Sequence, residues 1–126
     1  MILGLGTDIT EIARVKSSLE RFGDSFLNRI LRPEEVTYCR TQKDIALPVA
    51  ARFAAKEAIS KAFGTGIGAQ LGWQDIEIRR RPSGEPYVVL YGGGLKLIEE
   101  RKGKQVLVSL SHTVNYATAV AILESA

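Results

Sequence analysis

The 126-residue sequence predicts an α+β fold in which a mainly antiparallel sheet packs against a long, alanine-rich helix. The run "AARFAAKEAISKAFG" at residues 50–64 consists mostly of strong helix formers. Two stretches with alternating apolar residues, "QVLVSLSHT" and "NYATAVAILE", end the chain and are typical of an antiparallel strand pair. Helical patterns come first and strand patterns later, which disfavours a doubly wound parallel sheet. No linker or repeat divides the sequence, so we expect a single domain over residues 1–126.

The first half of the chain predicts one strand followed by four helices. "LGLGTDI" is typical of a buried strand. A helix over about 11–22 follows, because its apolar residues recur at helical spacing and Gly23 supplies a stop. A short helix over about 25–30 precedes "PEEVTYCRT", where Pro33 suits the first turn of another helix. The alanine-rich helix should run over about 48–63 and end at "GTGIG".

The second half predicts strands around one helix. "WQDIEIRR" and "PYVVLYG" are expected to pair around the turn "RPSGE". "GLKLIEERKG" has a helical pattern, and the final two strands are expected to turn near Val114–Asn115.

Composition excludes several classes of protein. The net charge of +3 is mild, and no basic patch is interleaved with aromatic residues, so nucleic-acid binding is not expected. No apolar run approaches the roughly 20 residues of a membrane span. Cys39 is the only cysteine, which excludes an intrachain disulfide and favours a cytoplasmic location. His112 is the only histidine, so one chain cannot build a histidine-based metal site.

The alanine-rich helix has one residue in an unexpected place. At about 100° per residue, small side chains share one arc of this helix: Leu47, Ala51, Ala55, Ala58 and Ala62. Arg52, Lys56 and Ser60 lie roughly opposite, where we expect solvent. Glu57 belongs to neither arc, because its neighbours include Phe53 and Ala54. A partly buried carboxylate needs a partner, which could be Lys61 in an ordinary i, i+4 ion pair or a metal ion.

A second carboxylate, Asp8, follows two glycines in the first strand. Gly4, Gly6 and Asp8 alternate and therefore share a face that another backbone could approach closely. Asp8 could instead cap the next helix, with Glu11 completing a capping box. Two carboxylates resemble the sparse protein ligation of Mg²⁺, in which phosphates and waters complete the octahedron.

A third candidate is "SLSHT" at residues 109–113. Ser109 and Ser111 point to one strand face and His112 to the other, and such groups at a strand end can hold a phosphate. A purely structural histidine is the alternative. A serine-hydrolase triad is disfavoured because no G-x-S-x-G motif is present. Two carboxylates, a lysine and a phosphate cradle together indicate metal-assisted chemistry on a polyphosphate.

Three segments carry a family resemblance. "GLGTDITEIARV", "RFAAKEAISKAFGTG" and "SLSHTVNYATAVAI" resemble, in order and spacing, the 4′-phosphopantetheinyl transferases of the holo-acyl-carrier-protein synthase type. The resemblance implies that family's fold and a Mg²⁺-dependent enzyme of fatty acid biosynthesis. Such an enzyme transfers the phosphopantetheine arm of coenzyme A to a serine of an acidic acyl carrier protein. It releases adenosine 3′,5′-bisphosphate.

The resemblance also assigns roles to residues. Asp8 and Glu57 are expected to bind Mg²⁺, and Lys61 to contact the phosphates, the three forming the catalytic set. Either Glu57 or a metal-bound water that it orients takes the serine proton. The sequence does not decide between them, and the weak basicity of a carboxylate bound to Mg²⁺ favours the water. Coenzyme A binding is expected, besides Lys61, at Arg52, Ser109, Ser111, His112 and Thr113, with Pro86 beside the adenine. The family is typically a homotrimer with active sites between subunits, although no periodic pattern in this sequence indicates an interface.

Two further expectations concern charged surface residues. Arg14, Ser18 and Arg21 share a helix face near Asp8, and we expect Arg14 and Arg21 to dock the acidic carrier unless this is only a solvated face. Glu85 stands where many relatives have a basic residue, and an arginine of 79–81 would have to compensate. A coenzyme A- or carrier-binding module without catalysis is the alternative function; the joint presence of Asp8, Glu57 and Lys61 argues against it.

Overall fold

The structure, a computed structural model, describes residues 1–126 and confirms the α+β class and the order of the elements. The elements are β1 (Ile2–Glu11), α1 (Ile12–Phe22), α2 (Asp24–Ile30), α3 (Pro33–Arg40), α4 (Ala46–Phe63), a 3₁₀ turn (Trp73–Asp75), β2 (Ile76–Arg80), β3 (Pro86–Leu90), α5 (Gly92–Glu100), β4 (Gly103–His112) and β5 (Tyr116–Ser125). The alanine-rich helix begins two residues before the predicted start, and the start of "WQDIEIRR" is a 3₁₀ turn instead of a strand.

Two antiparallel sheets are present. One has three strands in the order β1-β5-β4, and the other consists of β2 and β3. Asp8 lies opposite Ala119, and His112 lies opposite Ala117. The last two strands turn at residues 113–115, as predicted, with the Thr113 N–H donating to the Tyr116 carbonyl over 2.8 Å.

Helix α4 packs on β1 at backbone contact, as the glycines predicted. A Cβ placed on Gly6 would lie 1.9 Å from the Ala58 carbonyl oxygen, and one on Gly4 would lie 1.9 Å from that of Ala62. Ala119 of β5 is buried in one apolar cluster with Ala58 and Ala62 of α4. Only residues without bulky side chains permit this approach, so the alternation of Gly4, Gly6 and Asp8 brings Asp8 close to α4.

The prediction that Arg52, Lys56 and Ser60 face solvent is wrong. Their exposed fractions are 2%, 0% and 0%. Glu35 of α3 covers this arc of the helix: its carboxylate lies 2.7 Å from Lys56 Nζ and 3.9 Å from Arg52 Nε. Lys56 can be buried because Glu35, 21 residues away along the chain, neutralises its charge, and the Arg52 guanidinium stacks on the Tyr38 ring.

Helix α4 also links the two apolar clusters of the molecule. Ala58, Ile59 and Phe63 belong to the cluster between α4 and the sheets, and Val49 and Ala50 belong to the cluster under α1–α3. Helix α4, which carries Glu57 and Lys61, therefore lies between the two clusters and packs against α1, β1, β2, β4 and β5. None of the helices is long and apolar enough to cross a membrane.

Candidate active site

Asp8 faces α4 from β1 and binds two side chains. Its Oδ1 accepts a hydrogen bond from Lys61 Nζ over 3.0 Å, and its Oδ2 accepts one from Thr10 Oγ1 over 3.0 Å. Helix α1 begins at Ile12 after Glu11, and no side chain caps it. The alternative that Asp8 caps this helix is therefore wrong, and its carboxylate is available to the site.

Lys61 reaches across from α4 to β1. Besides Asp8, its ammonium donates to the Thr7 carbonyl over 3.0 Å. The ordinary i, i+4 ion pair with Glu57 does not form. Because β1 lies so close to α4, its acceptors take the donors of Lys61, and Glu57 keeps no partner of its own.

Glu57 is half-buried at the edge of α4 and its carboxylate accepts no hydrogen bond from the chain. Burial raises the pKa of this carboxyl above its usual range, the charge of Asp8 raises it further, and Lys61 opposes both effects. A cation beside the two carboxylates would offset this unfavourable charge. Glu57 thus keeps its carboxylate oxygens free for a ligand, whereas those of Asp8 are bound by Lys61 and Thr10.

An open cavity of about 430 Å³ joins these groups to helix α1. Its lining combines three acidic side chains with basic, hydroxyl and apolar side chains: Asp8, Ile9, Thr10, Glu11, Arg14, Val15, Ser18, Phe26, Phe53, Glu57 and Tyr116. Arg14 and Ser18 lie on the cavity wall, as their predicted position near Asp8 required. Arg21 does not line it; its guanidinium lies 5.1 Å from the Phe22 ring centre.

The donor set suits a hard cation that keeps most of its own ligands. Asp8 and Glu57 line one cavity, and no group of three or more His, Cys, Asp or Glu side chains converges anywhere in the chain. A site of two carboxylates fits Mg²⁺, which usually retains waters and takes phosphate oxygens, better than a cation that needs a complete protein cage. The residues therefore fit the predicted metal.

The "SLSHT" residues lie away from this cavity within one chain. Ser109 pairs with Val120 and Ser111 with Thr118, two strands from β1 on the sheet face opposite Asp8. His112 lies in a separate hollow with Asp44 and Leu47. Thr113 Oγ1 accepts hydrogen bonds from two backbone N–H groups of the β4–β5 turn.

Arg52 and Pro86 also lie outside the cavity. The Arg52 guanidinium stacks 4.4 Å from the Tyr38 ring centre, and its Nε has no hydrogen-bond partner. Pro86 begins β3 and lines a groove with Arg81 and Glu85, whose charged groups lie 3.6 Å apart. An arginine among residues 79–81 was expected to supply the positive charge that Glu85 lacks, and only Arg81 lines the groove of Pro86.

Sequence reasoning missed part of the site. Thr10 holds Asp8, and strand alternation offered the signal, since the two residues share a face. Tyr116 lies opposite Glu11 at the rim, which only the strand register reveals. Phe26 forms part of the wall, and its place depends on the path of α2, which no local pattern shows.

Comparison of the sequence and the fold with known proteins identifies one family. The family model described as the 4′-phosphopantetheinyl transferase superfamily matches residues 4–121. A holo-acyl-carrier-protein synthase of Koribacter versatilis is 45% identical over 124 residues, covering 98% of this chain and 99% of the relative. The synthase of Chlamydia muridarum is 47% identical over 123 residues, covering 98% and 95%.

Solved structures of such synthases share the whole fold. The crystal structure from Neisseria meningitidis has a TM-score of 0.93 at 34% identity and covers 99% of this chain and 100% of that one. The Helicobacter pylori enzyme in complex with coenzyme A has a TM-score of 0.86 at 34% identity, with coverage of 95% and 99%. With the family model matching nearly the full length and relatives above 40% identity, this chain belongs to the 4′-phosphopantetheinyl transferase superfamily.

Proposed function

We propose that this protein is a holo-acyl-carrier-protein synthase. It transfers the 4′-phosphopantetheine arm of coenzyme A to a serine of apo acyl carrier protein. The serine oxygen forms a bond to the phosphorus that carries the pantetheine arm. The bond from that phosphorus to the departing adenosine 3′,5′-bisphosphate breaks, and the serine proton would pass to Glu57 or to a water that Glu57 orients. The relatives at 45–47% identity bear the name of this activity.

The observation that carries the proposal is that Asp8 and Glu57 line one cavity while Lys61 is bound to Asp8 over 3.0 Å. A protein that only bound coenzyme A would need the cationic group but would gain nothing from two facing carboxylates. Burial raises the pKa of Glu57 and the charge of Asp8 raises it further, so a cation beside the two carboxylates would be favoured. A bound cation would balance the charge of the two carboxylates, and a phosphate substrate would balance the charge of the cation and of Lys61.

Asp8 and Glu57 would hold the Mg²⁺ of this reaction. When bound, the metal would neutralise charge on the pyrophosphate of coenzyme A and favour departure of the bisphosphate. Lys61 adds a second positive charge; it is half-exposed and already points across the site. Because Asp8 fixes the ammonium by a 3.0 Å ion pair, the charge is in place before substrate arrives.

The cavity wall formed by α1 would meet the carrier protein. Arg14 and Ser18 lie on this wall, and Arg21 lies about one turn beyond Ser18 on the same helix. Acidic carriers would be steered to these arginines, which bring the carrier serine to Asp8 and Glu57.

Coenzyme A would bind across two subunits of a homotrimer. The outer face of the three-stranded sheet exposes a row of apolar side chains: Leu5, Ile9, Leu107 and Val120 are 42–65% exposed. Ser109 and Ser111 lie on this same face. A neighbouring chain that covers the apolar row would bring the serines, and the adjoining His112 and Thr113, towards its own Glu57. Pro86 completes the proposed set of coenzyme A contacts, and Arg52, only 2% exposed, would have to move out from Tyr38 and Glu35 to join it. We also propose a cytoplasmic location.

The proposal is tested by the intact mass of purified apo acyl carrier protein after incubation with this protein, coenzyme A and Mg²⁺. We expect a gain equal to the phosphopantetheine arm, and expect EDTA and Glu57→Gln to abolish it. Glu99→Gln, an exposed change on α5, is the matched control and should retain transfer. Coenzyme A binding without mass gain on several carriers would contradict the proposal, whereas full activity of Glu57→Gln would contradict the site.

A further inference from the structure

Two side chains from distant parts of the chain bind the carboxyl end of α2. Lys56 Nζ donates to the Ile30 carbonyl over 2.7 Å. Gln74 Nε2 donates to the carbonyls of Asn28 and Leu31 over 2.9 and 2.7 Å. The last carbonyls of a helix lack partners within it and carry partial negative charge, so an ammonium and an amide are well matched to them.

Lys56 uses all three of its donors at this point. Its other partners are Glu35 Oε1 at 2.7 Å and the Trp73 carbonyl at 3.1 Å. The side chain is completely buried although it lies next to Glu57 in the sequence. A buried ammonium is costly unless every donor is satisfied, so Lys56 fixes the relative positions of α2, α3, α4 and the 3₁₀ turn.

Two of the segments that Lys56 binds, α2 and the 3₁₀ turn, carry or support an aromatic wall of the active cavity. Phe26 lies on α2 and lines the cavity. Trp73 packs on Phe53, with ring centres 4.9 Å apart, and Phe53 lines the cavity beside Glu57. A single buried cation thus supports two walls of the site without touching it.

The other end of α2 has one side-chain hydrogen bond, at the surface: the guanidinium of Arg40 on α3 donates to Asp24 Oδ1 over 2.8 Å, and both side chains are exposed. Gly23 joins α1 to α2 with a φ of +55°, which side-chain-bearing residues rarely adopt, and no neighbour lies within 4 Å of a Cβ placed there. The buried side-chain hydrogen bonds to α2 therefore lie at its far end, and the direction of α2 relative to α1 depends chiefly on them.

We propose that Lys56 and Gln74 are positioning residues of the transferase, which hold α2 so that the cavity wall receives the carrier protein. This inference rests on the proposed function. The wall belongs to α1 and α2, whereas the residues assigned to coenzyme A lie elsewhere. Loosening α2 should therefore raise the KM for the carrier and leave the KM for coenzyme A unchanged.

Gln74→Met provides the main test, because it keeps the size of an exposed side chain and removes only its hydrogen bonds. We expect the carrier KM to rise about fivefold, the effect of roughly one net hydrogen bond. Hydrogen exchange at the α2 amides should quicken in the same variant. Gln42→Met is the matched control, since Gln42 Nε2 bonds only the neighbouring Thr41 hydroxyl.

Lys56→Met extends the test at a temperature well below its unfolding transition. A larger rise in carrier KM is expected, and if this variant does not fold, Gln74→Met decides alone. An unchanged carrier KM in Gln74→Met, or an equal rise in both KM values, would overturn the inference while leaving the function intact. Absence of transfer by the unmodified protein would overturn both.

Discussion

The backbone contact between β1 and α4 makes Gly6 a sensitive test of how the site is assembled. Changing Gly6 to Ala adds one methyl group, and its carbon would lie 1.9 Å from the Ala58 carbonyl oxygen. Real Cβ atoms essentially never approach another heavy atom within 3.0 Å. The obstacle is backbone, so no side-chain rotation relieves it, and β1 must move away from α4 by about 1 Å.

That movement should affect both stability and catalysis. Overpacking of this kind costs about 1–3 kcal/mol, and each kcal/mol lowers the melting temperature of a chain this size by roughly 3–6 °C. Asp8 lies two residues further along the same strand face, so its carboxylate moves relative to Glu57 and Lys61. A misplacement of about 1 Å can reduce the rate by roughly 100-fold.

The assay compares thermal unfolding and kcat/KM for carrier modification in Gly6→Ala and Gly68→Ala. Gly68 also lacks a side chain, but no atom lies within 4 Å of a Cβ placed there and its φ is not in the left-handed region. We expect Gly68→Ala to match the unmodified protein in both measurements. A Gly6→Ala variant with unchanged melting temperature and unchanged kcat/KM would refute the close-packing explanation.

Four further outcomes follow from the charges and surfaces of the site. Lys61→Met should reduce kcat/KM by roughly 100- to 1000-fold, as for loss of one preorganised electrostatic contact; a rate within threefold of normal would contradict its phosphate role. Because the pKa of Glu57 is raised above 4.5 by burial and then by Asp8, the folded state binds its proton more tightly than the unfolded state does. Glu57→Gln should therefore raise the melting temperature at pH 7, and this gain should vanish below pH 4.5; equal melting temperatures at pH 7 would contradict the charge repulsion. Arg14→Glu should raise the carrier KM with little effect on the coenzyme A KM, and an unchanged carrier KM in steady-state assays would remove the docking role. Val120→Glu should convert a trimer to monomers in sedimentation, and a monomeric unmodified protein would contradict the proposed inter-subunit site.

Local patterns were sufficient to predict most of the elements and the faces on which Asp8 and Glu57 lie. The glycine alternation in β1 predicted the close approach of α4, and it depends only on residues within one strand. Glu57 stood out because its helical arc matched neither the small nor the charged side. Both inferences concern which face a side chain occupies, and secondary-structure periodicity determines that directly.

Contacts between distant segments were not predictable in the same way. The arc of Arg52 and Lys56 was assigned to solvent because charge is usually exposed, yet Glu35 and the carbonyls of Ile30 and Trp73 surround Lys56. Periodicity gives the arc but not the element that packs on it. The apolar row on the outer sheet face was missed for a similar reason: Leu5 and Leu107 face the same way only because both strands flank Ile122 of β5 in register.

The rotation of α4 about its axis explains how Glu57 can be both fixed and free. On one side, the Ala58 carbonyl meets Gly6 at backbone contact. On another, Lys56 binds three acceptors on three other segments. These two restraints act about 200° apart around the helix, so α4 cannot turn without breaking one of them. Glu57 lies between them, and its direction is therefore set by its neighbours instead of by a bond of its own. Its carboxylate remains available to a ligand while its backbone is held, which is the condition for a preorganised site.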